Sequence, residues 1–211
     1  MKLISTIIFI LMSNFSSADF FEDISGSIKN NQKRLSYGIS VTDFNKDGKF
    51  EFIVTGFKFP NLILSHKNGY LENINTNNLF ADQTRSTIGV AACDIDNDGF
   101  EELYFLNTDT YSGQKQFSDR LLDNNKNIID LFQLDKNLRS LNLTAGRSVV
   151  CVDRNGDGKY GIYVANYGGP TRFYELKKGS IVDQAPLLNI NRITGGRAVV
   201  AGHILSKYMD I

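Results

Sequence analysis

The chain has 211 residues, of which 42% are hydrophobic, and its 23 basic and 23 acidic side chains give a net charge of zero. This is the composition of an ordinary soluble globular protein. Zero net charge without a basic cluster is not the electrostatic pattern of a nucleic-acid-binding protein, so nucleic acid is not expected as a partner.

Residues 1–18 have the pattern of a secretory signal peptide. Lys2 gives a positive start, residues 3–12 form an apolar run, and the small residues 16–18 form a cleavage site before Asp19. The apolar run, about ten residues, is too short to cross a bilayer, and no other segment approaches the length of a membrane span. We therefore expect a secreted, extracellular protein. The alternative is an N-terminal strand buried in the fold.

Residues 19–36 predict an N-terminal strand followed by a linker. Phe20 to Ile24 combine apolar and acidic side chains and are a candidate for a short strand, and Gly26 to Arg34 are mostly polar. The repeating part of the chain begins after this linker.

The first repeat, residues 37–80, predicts four consecutive strands. Short runs rich in β-branched and aromatic residues are separated by Gly, Pro and Asn, which favour turns. The predicted strands are Gly38 to Val41, Phe52 to Thr55, Leu62 to Ser65 and Tyr70 to Ile74.

Two further repeats and part of a fourth follow. The second spans residues 88–133, with strands expected at 88–93, 103–106, 120–122 and 128–132, and the third spans residues 147–185. Residues 195–211 begin a fourth unit, since the sequence Arg197 to Val200 parallels Arg147 to Val150.

The repetition predicts an all-β fold, a β-propeller of four-stranded blades. Repeats of about 40 to 50 residues with four strands each are typical of propeller blades. A β-sandwich would also consist of short strands and regular turns, but it would not repeat internally. The sequence therefore predicts three blades and part of a fourth, an incomplete propeller.

Each of the three repeats contains an acidic loop between its first and second strands. Oxygen side chains at loop positions 1, 3 and 5, a carbonyl at position 7 and a carboxylate at position 9 form a shell of hard oxygens, which suits Ca²⁺. Glycine at position 6 permits the tight turn. The candidate ligands are Asp43, Asn45, Asp47, the Lys49 carbonyl and Glu51 in loop 1; Asp94, Asp96, Asp98, the Phe100 carbonyl and Glu102 in loop 2; and Asp153, Asn155 and Asp157 in loop 3.

The three loops differ in the expected strength of binding. Loop 2 offers four carboxylates, while loop 3 has Gly161 at position 9 and should bind weakly or not at all. The alternative for any of them is a solvated turn. An EF-hand is excluded, because it needs a bidentate Glu at position 12 and flanking helices, whereas position 12 here is Val54, Phe105 and Val164.

Two cysteines and one glycosylation sequence complete the pattern. Cys93 and Cys151 precede acidic loops 2 and 3, Cys93 by one residue and Cys151 by two. That offset predicts opposite side-chain directions in matching strands, so the sequence leaves a disulfide and two buried thiols as equal alternatives. Asn142 begins the sequon Asn-Leu-Thr, which is compatible with glycosylation of a secreted protein.

The loops carry a family resemblance. The patterns D-x-N-x-D-G-x-x-E, from Asp43, and D-x-D-x-D-G-x-x-E, from Asp94, resemble the FG-GAP/VCBS calcium-binding repeats of β-propellers, including the head of integrin α subunits. The segments IGVAACDIDNDGFEELYFLNTD, AGRSVVCVDRNGDGKYGIYVANYG and GGRAVVAGHIL are similar to the cartilage acidic protein family. This resemblance implies a secreted matrix protein, with neuronal and axon-guidance roles in some members.

The resemblance also implies a larger protein than this chain. Members of the family resemble single propellers of about seven blades, followed by an ASPIC/UnbV region and sometimes an EGF-like module. Against that pattern this chain resembles a truncated form, in which the strand at Phe20 to Ile24 lacks the last blade that it would complete. Two blade edges would then be unpaired, so we expect poor solubility or oligomerisation when the chain is expressed alone.

The sequence therefore predicts a non-enzymatic, Ca²⁺-stabilised extracellular matrix or cell-surface interaction protein. Its partner would be another matrix or cell-surface protein that meets the loops on one face of the ring. Aromatic side chains such as Tyr104, Tyr163 and Phe173 are expected to pack between blades. The alternative is a propeller-type enzyme, a hydrolase or lyase, with its site on the central channel.

Overall fold

The computed structural model describes residues 21–211 and contains three four-stranded antiparallel sheets. In each sheet the strand order follows the chain, so every strand pairs with its sequence neighbour, as in a propeller blade. The three sheets, here called blades 1, 2 and 3, confirm the predicted all-β, blade-like architecture. The predicted signal peptide, residues 1–18, lies outside the described residues.

The strand bounds agree closely with those expected from the sequence. Blade 1 consists of β1 (Ile39–Thr42), β2 (Glu51–Val54), β3 (Leu62–Lys67) and β4 (Tyr70–Asn73); blade 2 of β5 (Thr87–Cys93), β6 (Glu102–Asn107), β7 (Arg120–Asp123) and β8 (Ile129–Asp130); and blade 3 of β9 (Gly146–Val152), β10 (Gly161–Asn166), β11 (Arg172–Lys177) and β12 (Ser180–Asp183). One α-helix, α1 (Asn78–Ala81), and 3₁₀ turns at Ser25–Ser27, Leu131–Gln133 and Asp135–Ser140 lie between or before the strands.

The fourth strand of blade 2 is shorter than expected. Instead of continuing to residue 132, β8 ends at Asp130 and a 3₁₀ turn begins. The Asp130 carboxylate accepts a hydrogen bond from the Phe132 backbone N–H at 3.1 Å and so caps the turn. A side chain that captures its own backbone competes with the strand ladder, which explains the early end.

The blades stack on one another through their alternating side chains. Successive residues of a strand point to opposite faces, so each blade contributes one set of side chains to each neighbour. The core between blades 1 and 2 consists of Ile53, Ile63, Phe80, Val90, Leu103, Phe105 and Leu122, and the core between blades 2 and 3 includes Ala91, Cys93, Tyr104, Leu106, Leu121, Ile162, Val164 and Tyr174. Of the three aromatics expected between blades, Tyr104 lies in this second core, and Phe173 and Tyr163 lie on the far side of blade 3.

The innermost strands of blades 2 and 3 are joined by a disulfide between Cys93 and Cys151, whose Cα atoms are 5.8 Å apart. The offset of the two cysteines in the sequence predicts opposite side-chain directions, and these directions are what permits the bond. In a stack, one face of blade 2 meets the opposite face of blade 3, so two side chains can touch only when they point oppositely relative to their own blades. Cys93 lies on the face of blade 2 that packs on blade 3, and Cys151 lies on the face of blade 3 that packs on blade 2.

The two ends of the described chain depart from the sequence expectation. Residues 21–24 form no strand, and Phe21 is 94% exposed. Ile28 instead makes a parallel bridge to Leu71 at the outer edge of blade 1. A strand needs a partner edge, and the last blade with which this segment was expected to pair is not among the three sheets. The prediction of a strand at Phe20 to Ile24 is therefore not met over its described part.

Residues 195–211, expected to start a fourth blade, contain no strand. The innermost strand of each blade pairs with the strand that follows it, and residues 201–211 form no strand with which residues 197–200 could pair. The segment packs instead on blade 3, where Ala201 and Met209 contact the cluster of Val152 and Phe173. The Val199 backbone N–H donates to Ser148 Oγ at 3.2 Å and holds the segment beside β9.

No helix in the described part of the chain has the length and apolar character needed to span a bilayer.

Candidate metal centre

The three acidic loops share one backbone turn at the end of the first strand of each blade. Positions 4 and 6 of every loop have positive φ, a conformation that Gly and Asn adopt most readily. The residues are Lys46 (φ 58°) and Gly48 (82°) in loop 1, Asn97 (64°) and Gly99 (89°) in loop 2, and Gly156 (71°) and Gly158 (81°) in loop 3. The turn directs the side chains of positions 1, 3 and 5 toward one another.

Backbone N–H groups fix the first Asp of each loop. In loop 2 the Asp94 carboxylate accepts from Asp98 N at 3.1 Å and from Gly99 N at 3.0 Å. Asp43 and Asp153 accept from the equivalent amides of loops 1 and 3. This position is therefore oriented by the loop itself, before any ligand is considered.

Loop 2 brings three predicted ligands together. Oxygens of Asp94, Asp96 and Glu102 all lie within 4.8 Å of one another, and no other such acidic group occurs among residues 21–211. Glu102, the first residue of β6, is 1% exposed and accepts a hydrogen bond from Ile95 N at 2.8 Å. The donor set consists of carboxylate oxygens, which suits a hard divalent cation such as Ca²⁺.

The fourth predicted carboxylate of loop 2, that of Asp98, has another partner. Its Oδ1 accepts from Phe100 N at 2.8 Å, and its Oδ2 accepts from the Asn125 amide. Asp123, which the sequence analysis did not include, lies close enough to raise the pKa of both Asp96 and Glu102. It ends β7, next to Leu122, the strand partner of Leu103.

The electrostatics of loop 2 favour a bound cation. Burial, followed by the nearby Asp96 and Asp123 carboxylates, raises the pKa of Glu102 to about 8. Burial and the Asp98 charge raise the pKa of Asp96 as well. Carboxylates that lie close together, with Glu102 buried among them, hold protons more strongly unless a cation neutralises them, so a Ca²⁺ ion would restore their charged forms.

Loop 1 has the same outline with more internal hydrogen bonds. Glu51 is fully buried, and its two oxygens accept from Phe44 N at 3.1 Å and from Ser65 Oγ at 3.0 Å. Asn45 donates from Nδ2 to Asp47 Oδ2 at 3.3 Å. The predicted ligands are thus placed as in loop 2, although their carboxylates do not form a comparably tight group.

Loop 3 replaces the closing carboxylate with an internal ion pair. A Cβ at Gly161 would lie 2.6 Å from Phe173 Cζ, so the Phe173 ring occupies the space that Glu fills in the other loops. Arg154, at loop position 2, donates from Nε to Glu175 on β11 at 2.7 Å. Burial acts to raise the pKa of Asp153, but hydrogen bonds from the backbone N–H groups of Gly158, Asp157 and Gly156 outweigh it, and the pKa lies below its ordinary value.

The glycosylation sequon is inaccessible in the folded chain. Asn142 is fully buried, and its Nδ2 donates to Asp119 Oδ2 at 2.6 Å and to Asn166 Oδ1 at 3.0 Å. Because a glycan must be attached to that nitrogen and extend into solvent, the expectation of a modified Asn142 does not fit the fold.

The chain is similar to known proteins over most of its length. A model of the FG-GAP-like repeat family matches residues 31–105, a segment that contains loops 1 and 2. Over 202 residues the chain is 41% identical to "Cartilage acidic protein 1" from Xenopus tropicalis and 39% identical to its namesakes from Homo sapiens and Mus musculus. Each alignment covers 84% of this chain and 31% of the relative, so the chain spans about a third of the length of these curated relatives.

Proposed function

We propose that this chain, a homologue of cartilage acidic protein 1 with FG-GAP-like repeats, is a non-enzymatic, Ca²⁺-braced interaction protein of the extracellular matrix or cell surface. The observation that carries the proposal is the convergence of Asp94, Asp96 and Glu102 in an oxygen-only site. The disulfide between Cys93 and Cys151 supports an oxidising, extracellular compartment. The resemblance extends the proposal to matrix and neuronal or axon-guidance roles.

The ion would act as a brace between strands. Asp94 follows β5 and Glu102 begins β6, so one cation bound by both would tie the ends of the two innermost strands of blade 2. Asp43 and Glu51 occupy the same places in blade 1. Braces of this kind would hold the blades rigid while loops elsewhere on the scaffold contact a partner.

Blade 3 needs no ion in this scheme. The Arg154–Glu175 ion pair already ties loop 3 to β11, and the pair is half-shielded, with side chains 36% and 12% exposed. The arginine is a permanent cation in the blade whose loop lacks the closing carboxylate. We therefore infer two Ca²⁺ ions per chain, in loops 1 and 2.

An enzymatic role is not part of the proposal. His66 lies exposed near the end of β3 and His203 lies exposed in the C-terminal segment, and neither makes a hydrogen bond to a carboxylate among the described residues. A hydrolase or lyase site would require such a base to be paired and positioned. No observation favours the enzyme over the interaction protein.

Calorimetric titration of the metal-free chain with CaCl₂ tests the proposal. We expect two binding events, one lost in Glu51→Gln and the other in Glu102→Gln, together with a rise in melting temperature that a chelator reverses. Asp135→Asn is the matched control, because Asp135 is an exposed carboxylate outside the loops. The absence of both heat and a melting shift would rule out the metal sites, and a third event lost in Asp153→Asn would refute the role given to Arg154.

A further inference from the structure

A cavity of about 590 Å³ opens on the face of the molecule opposite the acidic loops. The acidic loops join the first and second strands of each blade, whereas this cavity is lined by residues from the loops between second and third strands, from the connection between blades 1 and 2, and by Arg147 at the start of β9. Because antiparallel strands alternate in direction, these two sets of loops lie at opposite ends of the blades. The lining includes Phe57, Lys58, Asp109, Tyr111, Phe117 and Arg147.

Two arginines and two tyrosines interleave at the edge of this cavity. The Arg147 guanidinium lies 5.5 Å from the Tyr111 ring centroid and 5.4 Å from that of Tyr167. The Arg197 guanidinium lies 5.9 Å and 5.4 Å from the same two rings. The ring centroids are 5.4 Å apart, so two cations share one pair of aromatic faces. We call these four residues the arginine–tyrosine cluster.

Neither guanidinium of the cluster has a carboxylate within 4.0 Å among the described residues, in contrast to Arg120 and Arg172 in the same fold. Asp109 lines the cavity, but its oxygens accept from the backbone amides of Gln116 and Phe117. Two neighbouring cations repel each other, and aromatic faces offset that repulsion only in part. The cluster therefore holds positive charge that an anion would neutralise.

The donors of the cluster are partly fixed and partly free. Arg147 donates to Thr108 Oγ1 at 3.2 Å and to the Gly146 carbonyl at 3.0 Å, and it also donates to the Tyr111 carbonyl, so its position is set by the scaffold. Arg197 is exposed and donates one hydrogen bond, to the Tyr111 hydroxyl at 2.8 Å. A guanidinium has five N–H donors, so Arg197 retains most of its capacity for a ligand.

We propose that the arginine–tyrosine cluster binds a carboxylate side chain of an acidic segment in a protein partner, whose neighbouring apolar side chain enters the cavity between Phe57 and Phe117. Arginine pairs with carboxylates through two parallel hydrogen bonds, and Tyr and Arg are the residues most enriched in the energetic centres of protein interfaces. Asp109 lines the same cavity and would repel a polysulfated glycan more than a single carboxylate. This site deepens the proposed interaction role but does not depend on the calcium loops.

Fluorescence-polarisation binding with a short labelled peptide tests this inference. The probe is a capped Gly-Phe-Asp-Phe-Gly peptide, compared with the same peptide carrying Asn in place of Asp. We expect the Asp peptide to bind at least about tenfold more tightly, because a hydrogen-bonded charge is worth more than a neutral pair. Arg197→Gln should remove that preference, Arg197→Lys should restore part of it, and the exposed Arg139→Gln should leave it unchanged.

Three results would overturn the inference. The first is equal binding of the Asp and Asn peptides. The second is a preference that survives in Arg197→Gln, checked by its melting temperature to be folded. The third is tighter binding of a heparin-derived oligosaccharide than of the Asp peptide, lost in Arg197→Gln, which would assign the cluster to a sulfated glycan. Failure of calcium binding with the peptide preference intact would refute the metal sites alone.

Discussion

Relative to the wild type, Glu102→Gln is expected to stabilise the metal-free protein and to destabilise the Ca²⁺-bound protein. The pKa of Glu102 in the folded chain is about 8, against an ordinary value of 4.5, so the metal-free folded state binds more protons than the unfolded state between these values. The stability that protonated Glu102 contributes to the metal-free protein is therefore fully present below about pH 4.5 and is lost as the pH rises through 8. The raised pKa of Asp96 acts in the same direction.

The size of the effect follows from the same shift. Each pKa unit corresponds to about 1.4 kcal/mol, so the loss reaches about 3 kcal/mol near pH 7 and about 5 kcal/mol above pH 8. That is a large part of the 5–15 kcal/mol that typically stabilises a domain. Glutamine has nearly the shape of the protonated side chain and cannot ionise, so the variant should be the more stable protein at about pH 8 without metal.

Urea unfolding followed by circular dichroism at several pH values, in EDTA and in CaCl₂, measures both effects. In EDTA the wild type should lose stability with rising pH, and Glu102→Gln should lose less of it. In CaCl₂ the order should invert, since the variant lacks a ligand and should bind the ion at least about 10- to 100-fold more weakly. If the wild type and Glu102→Gln show the same pH dependence in EDTA, the buried Glu102 carboxylate is not the cause of the loss of stability. Asp135→Asn is the control and should match the wild type under all conditions.

Replacing Cys93 and Cys151 together by Ser should lower the free energy of unfolding by about 4 kcal/mol, from the chain entropy of the closed loop, measured against the oxidised wild type in urea. A loss below about 1 kcal/mol would mean that the bond does not restrain the unfolded chain. Gly161→Glu should destabilise blade 3 by about 1 to 3 kcal/mol through overpacking against Phe173 and add no calorimetric Ca²⁺ event; a new event would contradict the steric argument. Chain secreted from a eukaryotic host should carry no glycan at Asn142 by intact mass, and a glycosylated folded species would disprove the burial of that amide.

The local pattern of the sequence predicted most of the fold, because strands and turns depend on nearby residues. Alternating apolar positions around Ile53 are sufficient to predict a strand, and Gly99 is sufficient to predict a tight turn in loop 2. The acidic loops were equally readable, since their ligand spacing is fixed within nine residues. These features need no knowledge of what lies across the core.

The features that the sequence predicted wrongly or did not decide depend on contacts between distant elements. The sequence does not decide between a disulfide and two thiols, because side-chain direction within one strand does not show that Cys93 and Cys151 belong to facing surfaces of two stacked sheets. The sequon at Asn142 matched a surface signal, but tertiary contacts with Asp119 and Asn166 bury it. Such outcomes follow from how blades pack, which no short motif encodes.

In the third loop a contact with another strand compensates for the missing carboxylate. The sequence shows the absence of Glu at Gly161 directly, but it does not show which strand supplies the replacement. Loop position 2 is apolar in loops 1 and 2, where it is Phe44 and Ile95, and cationic in loop 3, where it is Arg154. This difference is the feature of the sequence that indicates another means of stabilising loop 3. Its partner, Glu175, lies 21 positions later, so only the strand pairing reveals it.

The disulfide also makes the blades mechanically unequal. Blades 2 and 3 are tied by the disulfide between Cys93 and Cys151, while blade 1 is held to blade 2 by packing and by hydrogen bonds, such as that from Asn124 Nδ2 to the Phe44 carbonyl at 2.9 Å. Under tension, or when a protease samples transient openings, the connection between blades 1 and 2 should be the first to yield. Blades 2 and 3, joined by the disulfide, would then remain as a protease-resistant fragment. Unfolding of the chain is therefore expected to begin at blade 1.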